Sequence, residues 1–207
     1  MIKSVICYFF LLIFYVVKGE NDGTLNIITK NIDLNSLQGT FYEIVTNATD
    51  KIFPGLACRC TKYEFSGLKR EEKKAYLTLN FSCNRNFLFG EQKSNMAFKL
   101  ILNKPLDDNE TTVEEFIASL LLVQNNQQIL LSNHMKIIYA ESNDQNELEH
   151  IIIGGNKSSE PMIIISKYRT INLETYNRLI NSLYLSGYQS ALLNWPFIIQ
   201  TDQTLCD

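Results

Sequence analysis

A chain of 207 residues with 45% hydrophobic and 20% charged residues is long enough to bury the core of one domain, and no internal repeat or second domain is apparent. The formal net charge is −3, and setting aside residues 1–19, which carry Lys3 and Lys18 and no acid, leaves 17 basic against 22 acidic residues, or −5. A mildly acidic surface argues against nucleic acid and anionic lipid as partners.

Lys3 precedes an uncharged apolar run of thirteen residues, 5–17. That length suits the core of a signal peptide and is short for a membrane span, which needs about 20 residues. Residues 1–19 are therefore expected to be a cleaved leader, with an uncleaved anchor as the alternative, and no later run is apolar enough for stable membrane insertion. The mature chain is expected in the secretory lumen or outside the cell. Abundant Asn, Ile and Lys are a feature of AT-rich genomes such as those of some intracellular parasites, for which secretion would mean a surrounding vacuole.

Cys7 leaves with the leader, and Cys58, Cys60, Cys83 and Cys206 remain. An even number in a secretory chain reads as two disulfides, with three connectivities open. A metal site at Cys58-x-Cys60 would need further ligands at finger-like spacing, and the only histidines are His134 and His150, so no metal is expected. Sequons at Asn47, Asn80, Asn109 and Asn156 permit glycosylation.

Residues 20–32 are polar, and 33–207 read as the folded domain. A short helical turn over 32–37 leads to Gly39-Thr40-Phe41-Tyr42-Glu43-Ile44-Val45, where a glycine releases the chain from a turn into a β-prone run. Strands are expected over 39–49 and 57–66, then a highly charged hairpin loop over 67–74. Residues 75–83 alternate cleanly, with Leu77, Leu79, Phe81 and Cys83 on one face, and Met96, Phe98, Leu100 and Leu102 do the same over 96–102. The segment 112–123 fits a strand or a helix by periodicity, and its place in the strand order favours a strand. Further strands are expected over 128–141, 148–154 and 162–167. Eight strands on short loops read as an antiparallel up-and-down meander. A helix follows, capped by Asn172 and ended by Gly187, with Leu173, Tyr176, Ile180, Leu183 and Tyr184 on one face. A short strand over 196–200 and Cys206 close the chain.

Gly39-Thr40-Phe41-Tyr42 resembles the Gly-x-Trp-Tyr signature that opens the first strand of lipocalins, with Phe41 in the tryptophan's place. Residues 162–171, followed by the helix, resemble the end of the same family, in which the last strand ends in an arginine. Lys167 stands at that arginine, and Arg169 is a second candidate for its role. The tail 201–206 and the stretch 54–65 are similar to the branch that holds apolipoprotein D, bacterial lipocalins and bilin-binding proteins. The resemblance covers about residues 33–206 and is thin between 84 and 134. A Thr-Asp-Tyr signature expected near the third-last strand is missing, with His134-Met135-Lys136 near its place.

The resemblance implies an all-β fold: an eight-stranded up-and-down antiparallel β-barrel with a C-terminal α-helix packed on it. It implies that Lys167 sits over Phe41 at the barrel floor with Gly39 and Tyr42, an attraction of about 0.5–1 kcal/mol. It also implies the pairing Cys60–Cys206, which leaves Cys58–Cys83. That second pair poses a difficulty. If Tyr63 and Phe65 point inward, simple alternation turns Cys58 outward and Cys83 inward, and a bulge or the strand ends must resolve it.

A closed barrel of eight strands has room for one small ligand. With unbroken alternation its lining is Tyr63, Phe65, Leu77, Leu79, Phe81, Phe98, Leu100, Phe116, Leu120, Ile137 and Tyr139. Patterning alone fits a dry core equally well, and the resemblance favours a cavity. The expected function is binding and carrying or sequestering a small hydrophobic ligand (a fatty acid, sterol, bilin, retinoid or haem-type tetrapyrrole), with protection against oxidative damage as a role. His134 or His150 would be the axial ligands of a haem, though a lone histidine is more often structural, so no cofactor is expected. Catalysis by a lipocalin-like isomerase would need a thiolate inside the barrel, for which Cys83 is the one candidate facing the right way. An interaction module with a blocked cavity, or a homo-oligomer formed through the outer face, stays open.

Overall fold

Period-two alternation makes this chain a sheet, and the turns and bulges decide how far each strand runs. The structure, a computed structural model, describes residues 32–47, 58–71, 74–87, 90–102, 112–113, 117–124, 127–155, 162–188, 198–203 and 206. β1 (Ile32–Asp33) enters a 3₁₀ turn at Leu34–Leu37, where the Asp33 carboxylate accepts from the Asn35 amide at 2.9 Å. β2 (Gly39–Asn47), β3 (Cys58–Glu71), β4 (Lys74–Phe87) and β5 (Gly90–Leu102) follow. After β6 (Thr112–Val113) come β7 (Ile117–Gln124), β8 (Gln127–Ser142), β9 (Leu148–Gly154) and β10 (Met162–Ser166). The helix α1 (Leu173–Ser186) and β11 (Ile198–Gln200) complete the described elements.

The long strands lie antiparallel in the order β10-β9-β8-β7-β5-β4-β3-β2, and β10 pairs back onto β2. The sheet thus curls round and meets itself, which removes open edges. The expected fold class stands: antiparallel β with one C-terminal helix. Strand limits differ. The charged stretch 67–74, expected as a loop, is mostly strand, since β3 runs to Glu71 and β4 begins at Lys74. Lys69 and Arg70 are exposed there, so their charge costs the ladder nothing and hydropathy does not mark its end. The β4–β5 register is unbroken from Ala75↔Leu102 to Phe87↔Gly90, which carries both strands beyond their expected ends at 83 and 96. The run 112–123 is split: β6 pairs with β1 in a small separate sheet, and β7 starts at Ile117.

Two apolar clusters lie on opposite faces of the wall. Phe41, Phe65, Leu77, Leu79, Leu100, Ile137, Ile151, Ile153 and Ile165 fill the inside. Ile44, Val45, Ile138, Ile152 and Ile164 point outward, against Leu179 and Leu183 of the helix. α1 is capped as its sequence suggests. The Asn172 side chain accepts from the Thr175 amide at 2.8 Å, and Gly187 takes φ +90°. The amides of Gly187 and Tyr188 then close on Tyr184 and Leu183, a Schellman-type ending. Its buried face is shifted from the expected one. Leu173 and Tyr184 are 73% and 43% exposed, while Leu179 is fully buried. Leu173 sits in the first turn, at the helix end, and Tyr184 lies off the row formed by Tyr176, Leu179, Ile180 and Leu183.

The tail fills a seam. β2 pairs with β3 only from Gly39 to Tyr42, and its second half, Val45 to Asn47, pairs with β11. The Gln203 amide group donates to the carbonyls of Glu43 (2.8 Å) and Thr61 (2.9 Å), bridging β2 and β3 where their ladder stops. The Cys60 amide donates to Asp202 O at 2.9 Å, and Cys60 is disulfide-bonded to Cys206. Cys60 can turn toward the tail because β3 bulges between Arg59 and Lys62, with Cys60 at φ +51°. The same bulge resets the alternation. It pairs position 58 with Arg85, in the register row shared by Cys83, which removes the difficulty that simple alternation raises. Cys83 is itself disulfide-bonded, and the side chain of Cys58 lies outside the described residues. Because Cys60–Cys206 spans 146 residues of chain, Cys60→Ser with Cys206→Ser should lower unfolding stability by about 2–4 kcal/mol. Urea titration checks this, and an unshifted midpoint would contradict it.

Candidate functional site

The barrel floor is built by the start of β2 and the end of β10. Phe41 is fully buried, edge-on to Phe65 with ring centroids 5.8 Å apart. Lys167 Nζ lies 4.4 Å from the centre of the Phe41 ring and donates to Gln38 O at 3.1 Å. The ammonium approaches over Gly39, where a Cβ would meet Nζ at 2.6 Å and where φ is +117°. A glycine is needed on both counts. Arg169, the alternative for this role, stacks over Tyr42 at 5.3 Å and donates to Cys206 O, so it clamps the tail and leaves the floor to Lys167.

Above the floor, Phe65, Leu79, Phe98 and Leu100 lie in the interior cluster and are each less than a tenth exposed. Tyr63 and Phe81 face each other across the β3–β4 register, ring centroids 5.3 Å apart, and both stay partly open although they belong to the same inner face. Gly67, at φ +64°, forms a second bulge in β3, and Leu68 beside it packs on the interior cluster. A charged group joins this lining. Glu43, two residues beyond Phe41 and paired with Ile165, is 4% exposed. Its carboxylate accepts from the Tyr63 hydroxyl at 2.7 Å and from the Thr201 hydroxyl. Sequence reading passed over Glu43, yet the signal was present: counting in twos from Phe41 turns it inward.

Tyr139 does not join the lining. β8 bulges between Ile137 and Tyr139, so Ile138 is the extra residue and Tyr139 pairs with the outward-facing Ile152. It packs beneath α1 instead, and its hydroxyl donates to Glu141 at 2.6 Å. Glu141 also receives a two-pronged contact from Arg178 of α1, at 2.6 and 3.0 Å. Burial would raise the Glu141 carboxyl, but hydrogen bonds from Arg178 and Tyr139 hold it below the ordinary carboxylate range. His150 pairs with Glu141 in the β8–β9 register and is 5% exposed, its ring 6.0 Å from that of Tyr168. It belongs to the outer row of the wall, so it is not placed as an axial ligand inside the barrel. Phe116 lies outside the described residues, as do the side chains of Leu120 and His134; the Leu120 backbone pairs opposite Leu100.

Two depressions mark the outer surface of the described residues. One, of about 430 Å³, lies along β3–β5 beside Lys62, Glu64, Asn80, Phe81 and Asn95. The other, of about 290 Å³, lies under the floor beside Ser36, Gln38, Glu149 and Lys167.

No protein-family model matches the chain. No curated protein matches it by sequence either. Among solved structures, the tryptamine complex of the amine binding protein of Rhodnius prolixus is similar, with a TM-score of 0.54 at 11% identity over 91% of this chain and 90% of that one. Lobster apocrustacyanin A1 gives 0.49 at 12% identity, over 87% and 91%. The siderocalin Ex-FABP gives 0.43 at 10% identity, over 81% and 94%. At such identities the likeness is one of fold. The curled antiparallel sheet with one C-terminal helix is the lipocalin fold.

Two outcomes follow from this geometry. Gly39→Ala should cost about 1–3 kcal/mol, since it strains the backbone and displaces Lys167 from the Phe41 ring; thermal unfolding reads the loss. Burial holds His150 below its ordinary value of about 6.5, against the opposing pull of Glu141 and Glu149, while Arg178 adds to the lowering. The unfolded chain therefore takes up this proton first as pH falls. Stability from His150 is present above about pH 6.5 and lost below it, so melting temperature should drop between about pH 7 and 5.5. His150→Leu should flatten that part of the profile, and an unchanged slope in the variant would refute the assignment.

Proposed function

We propose that this chain is a lipocalin, in the branch of apolipoprotein D, bacterial lipocalins and bilin-binding proteins, secreted to bind a small lipophilic molecule inside its barrel and to carry or sequester it. The observation that carries this reading is a contrast along the inner face. Phe41, Leu77 and Ile137 at its sealed part are at most 1% exposed, whereas Tyr63 and Phe81, on the same face, stay partly open. Two aromatic side chains left partly accessible beside a sealed apolar cluster are surface that a guest would cover, at roughly 25 cal/mol per Å².

Other observations agree. A protein of the same fold is an amine binding protein seen with tryptamine bound. The Cys60–Cys206 bridge fits an oxidising compartment, and among the described residues no helix is long and apolar enough to cross a membrane. Sequestering an oxidisable or pro-oxidant guest would make the role protective. Binding is preferred to catalysis because Cys83, the thiol an isomerase would need, is tied in a disulfide.

The test is uptake of a neutral lipophilic dye, Nile red, by the oxidised mature protein. One dye per chain is expected, and Phe81→Trp, which fills the open part of the lining, should weaken it about fivefold or more, equal to about 1 kcal/mol. Native mass spectrometry of protein from a eukaryotic secretory host should show an endogenous small molecule bound. A folded protein that takes up no dye would leave an interaction module with a blocked interior.

A further inference from the structure

Of the four sequons, that of Asn80 alone has its side chains among the described residues. It lies in the middle of β4, where the ladder pairs Asn80 with Glu64 of β3 on one side and with Ala97 of β5 on the other. Leu79, the preceding residue, is buried in the interior cluster, so alternation turns Asn80 and Ser82 together to the opposite face. Asn80 is exposed, as are Lys62, Glu64, Asn95 and Ala97 around it. A group attached to the Asn80 amide therefore leaves the core and the ladder untouched. Beside it the short side chains of Ser82 and Ala97, set among longer ones, leave the depression of about 430 Å³. That volume falls within the range of about 300–1,000 Å³ found for small-molecule sites, and it has room for a sugar ring. Lys62, Glu64 and Asn95 border it with hydrogen-bond donors and acceptors.

We propose that Asn80 carries an N-linked glycan and that its first N-acetylglucosamine lies in this depression. The donor is an oligosaccharide joined through diphosphate to a polyprenyl lipid. Asn80 Nδ2 forms a bond to C1 of the sugar, the bond from C1 to the phosphate oxygen breaks, the amide gives up one proton, and the lipid diphosphate leaves. A hydroxyl two residues on, that of Ser82, completes the acceptor motif. What the fold decides is whether β4 can enter the sheet with so large a substituent attached, and at Asn80 it can. The sugar chain beyond the first ring covers the wall of β3, β4 and β5, so a homo-oligomer would have to form through another part of the outer face. This rests on the reading of the chain as secreted, and it is independent of any guest inside the barrel.

Expression of the full chain in a eukaryotic secretory host tests both parts. Peptide N-glycosidase acting in heavy-oxygen water turns each occupied asparagine into a labelled aspartate, and peptide mapping of the secreted protein should find the label at position 80. Ser82→Ala keeps the asparagine and removes the acceptor motif, so the label there should vanish; a label that persisted would come from spontaneous deamidation and would overturn the assignment. The seat is read from the rate at which the enzyme releases the glycan from folded protein. Ala97→Arg fills the depression and should speed that release about fivefold or more, equal to about 1 kcal/mol, with occupancy of Asn80 unchanged. An unaltered rate would overturn the placement of the first sugar. Secreted protein with Asn80 unmodified would overturn the glycan while upholding the secretory reading. A chain that stays in the cytosol with residues 1–19 still attached would overturn both.

Discussion

Closing a sheet on itself makes one strand meet the demands of two neighbours, and here that strand is β2. Within nine residues it pairs with β3 through Gly39–Tyr42, with β10 through Tyr42–Thr46, and with β11 through Val45–Asn47. A strand has only two edges, so β3 and the tail must share one of them, and the ladder changes partner near Glu43. Much of what is distinctive in the molecule gathers at that change: the bulge at Cys60, the Gln203 bridge, the disulfide to Cys206 and the buried acid. An exposed gap in the wall would leave several backbone groups without partners. The tail supplies them, which is how a single turn of sheet stays shut.

Bulges are the second consequence of closure, and they explain where sequence reading held and where it failed. Strands and helix were legible because Leu77, Leu79 and Phe81 alternate, and because Asn172 and Gly187 mark the helix ends. One extra residue reverses every face beyond it. At Ile138 this sends Tyr139 from the expected lining to the underside of α1, and at Cys60 it carries position 58 into the row of Cys83. The two cases have the same origin and opposite effects on the expectations. Neither bulge has a composition signal strong enough to read, since Cys60 is a non-glycine residue at positive φ and Ile138 is one isoleucine among several. Gly67 is the exception, a glycine at φ +64° inside a strand.

The floor was readable for a different reason. It depends on groups fixed by sequence position at two strand ends, so Gly39, Phe41 and Lys167 meet whatever happens between them. A cation over a phenyl ring is worth only about 0.5–1 kcal/mol at such a site, so the floor is held mainly by burial of Phe41 and Phe65. The lysine's larger contribution is its bond to Gln38 O, which ties the end of β10 to the turn that begins β2. The pair then acts as a latch on the closing seam, more than as a source of stability.

Two of the wall's carboxylates, one on each row, show how a charged group can serve closure. Glu141 sits on the outer row, where Arg178 gives it an opposite charge and ties α1 to β8. Its presence is explained by docking the helix. Glu43 lies on the inner row, where it accepts from the hydroxyls of Tyr63 and Thr201 and so ties β3 and the tail to β2. What the acid supplies is an orientation for the Tyr63 hydroxyl and an anchor for Thr201, at the place where the ladder of β2 passes from β3 to the tail.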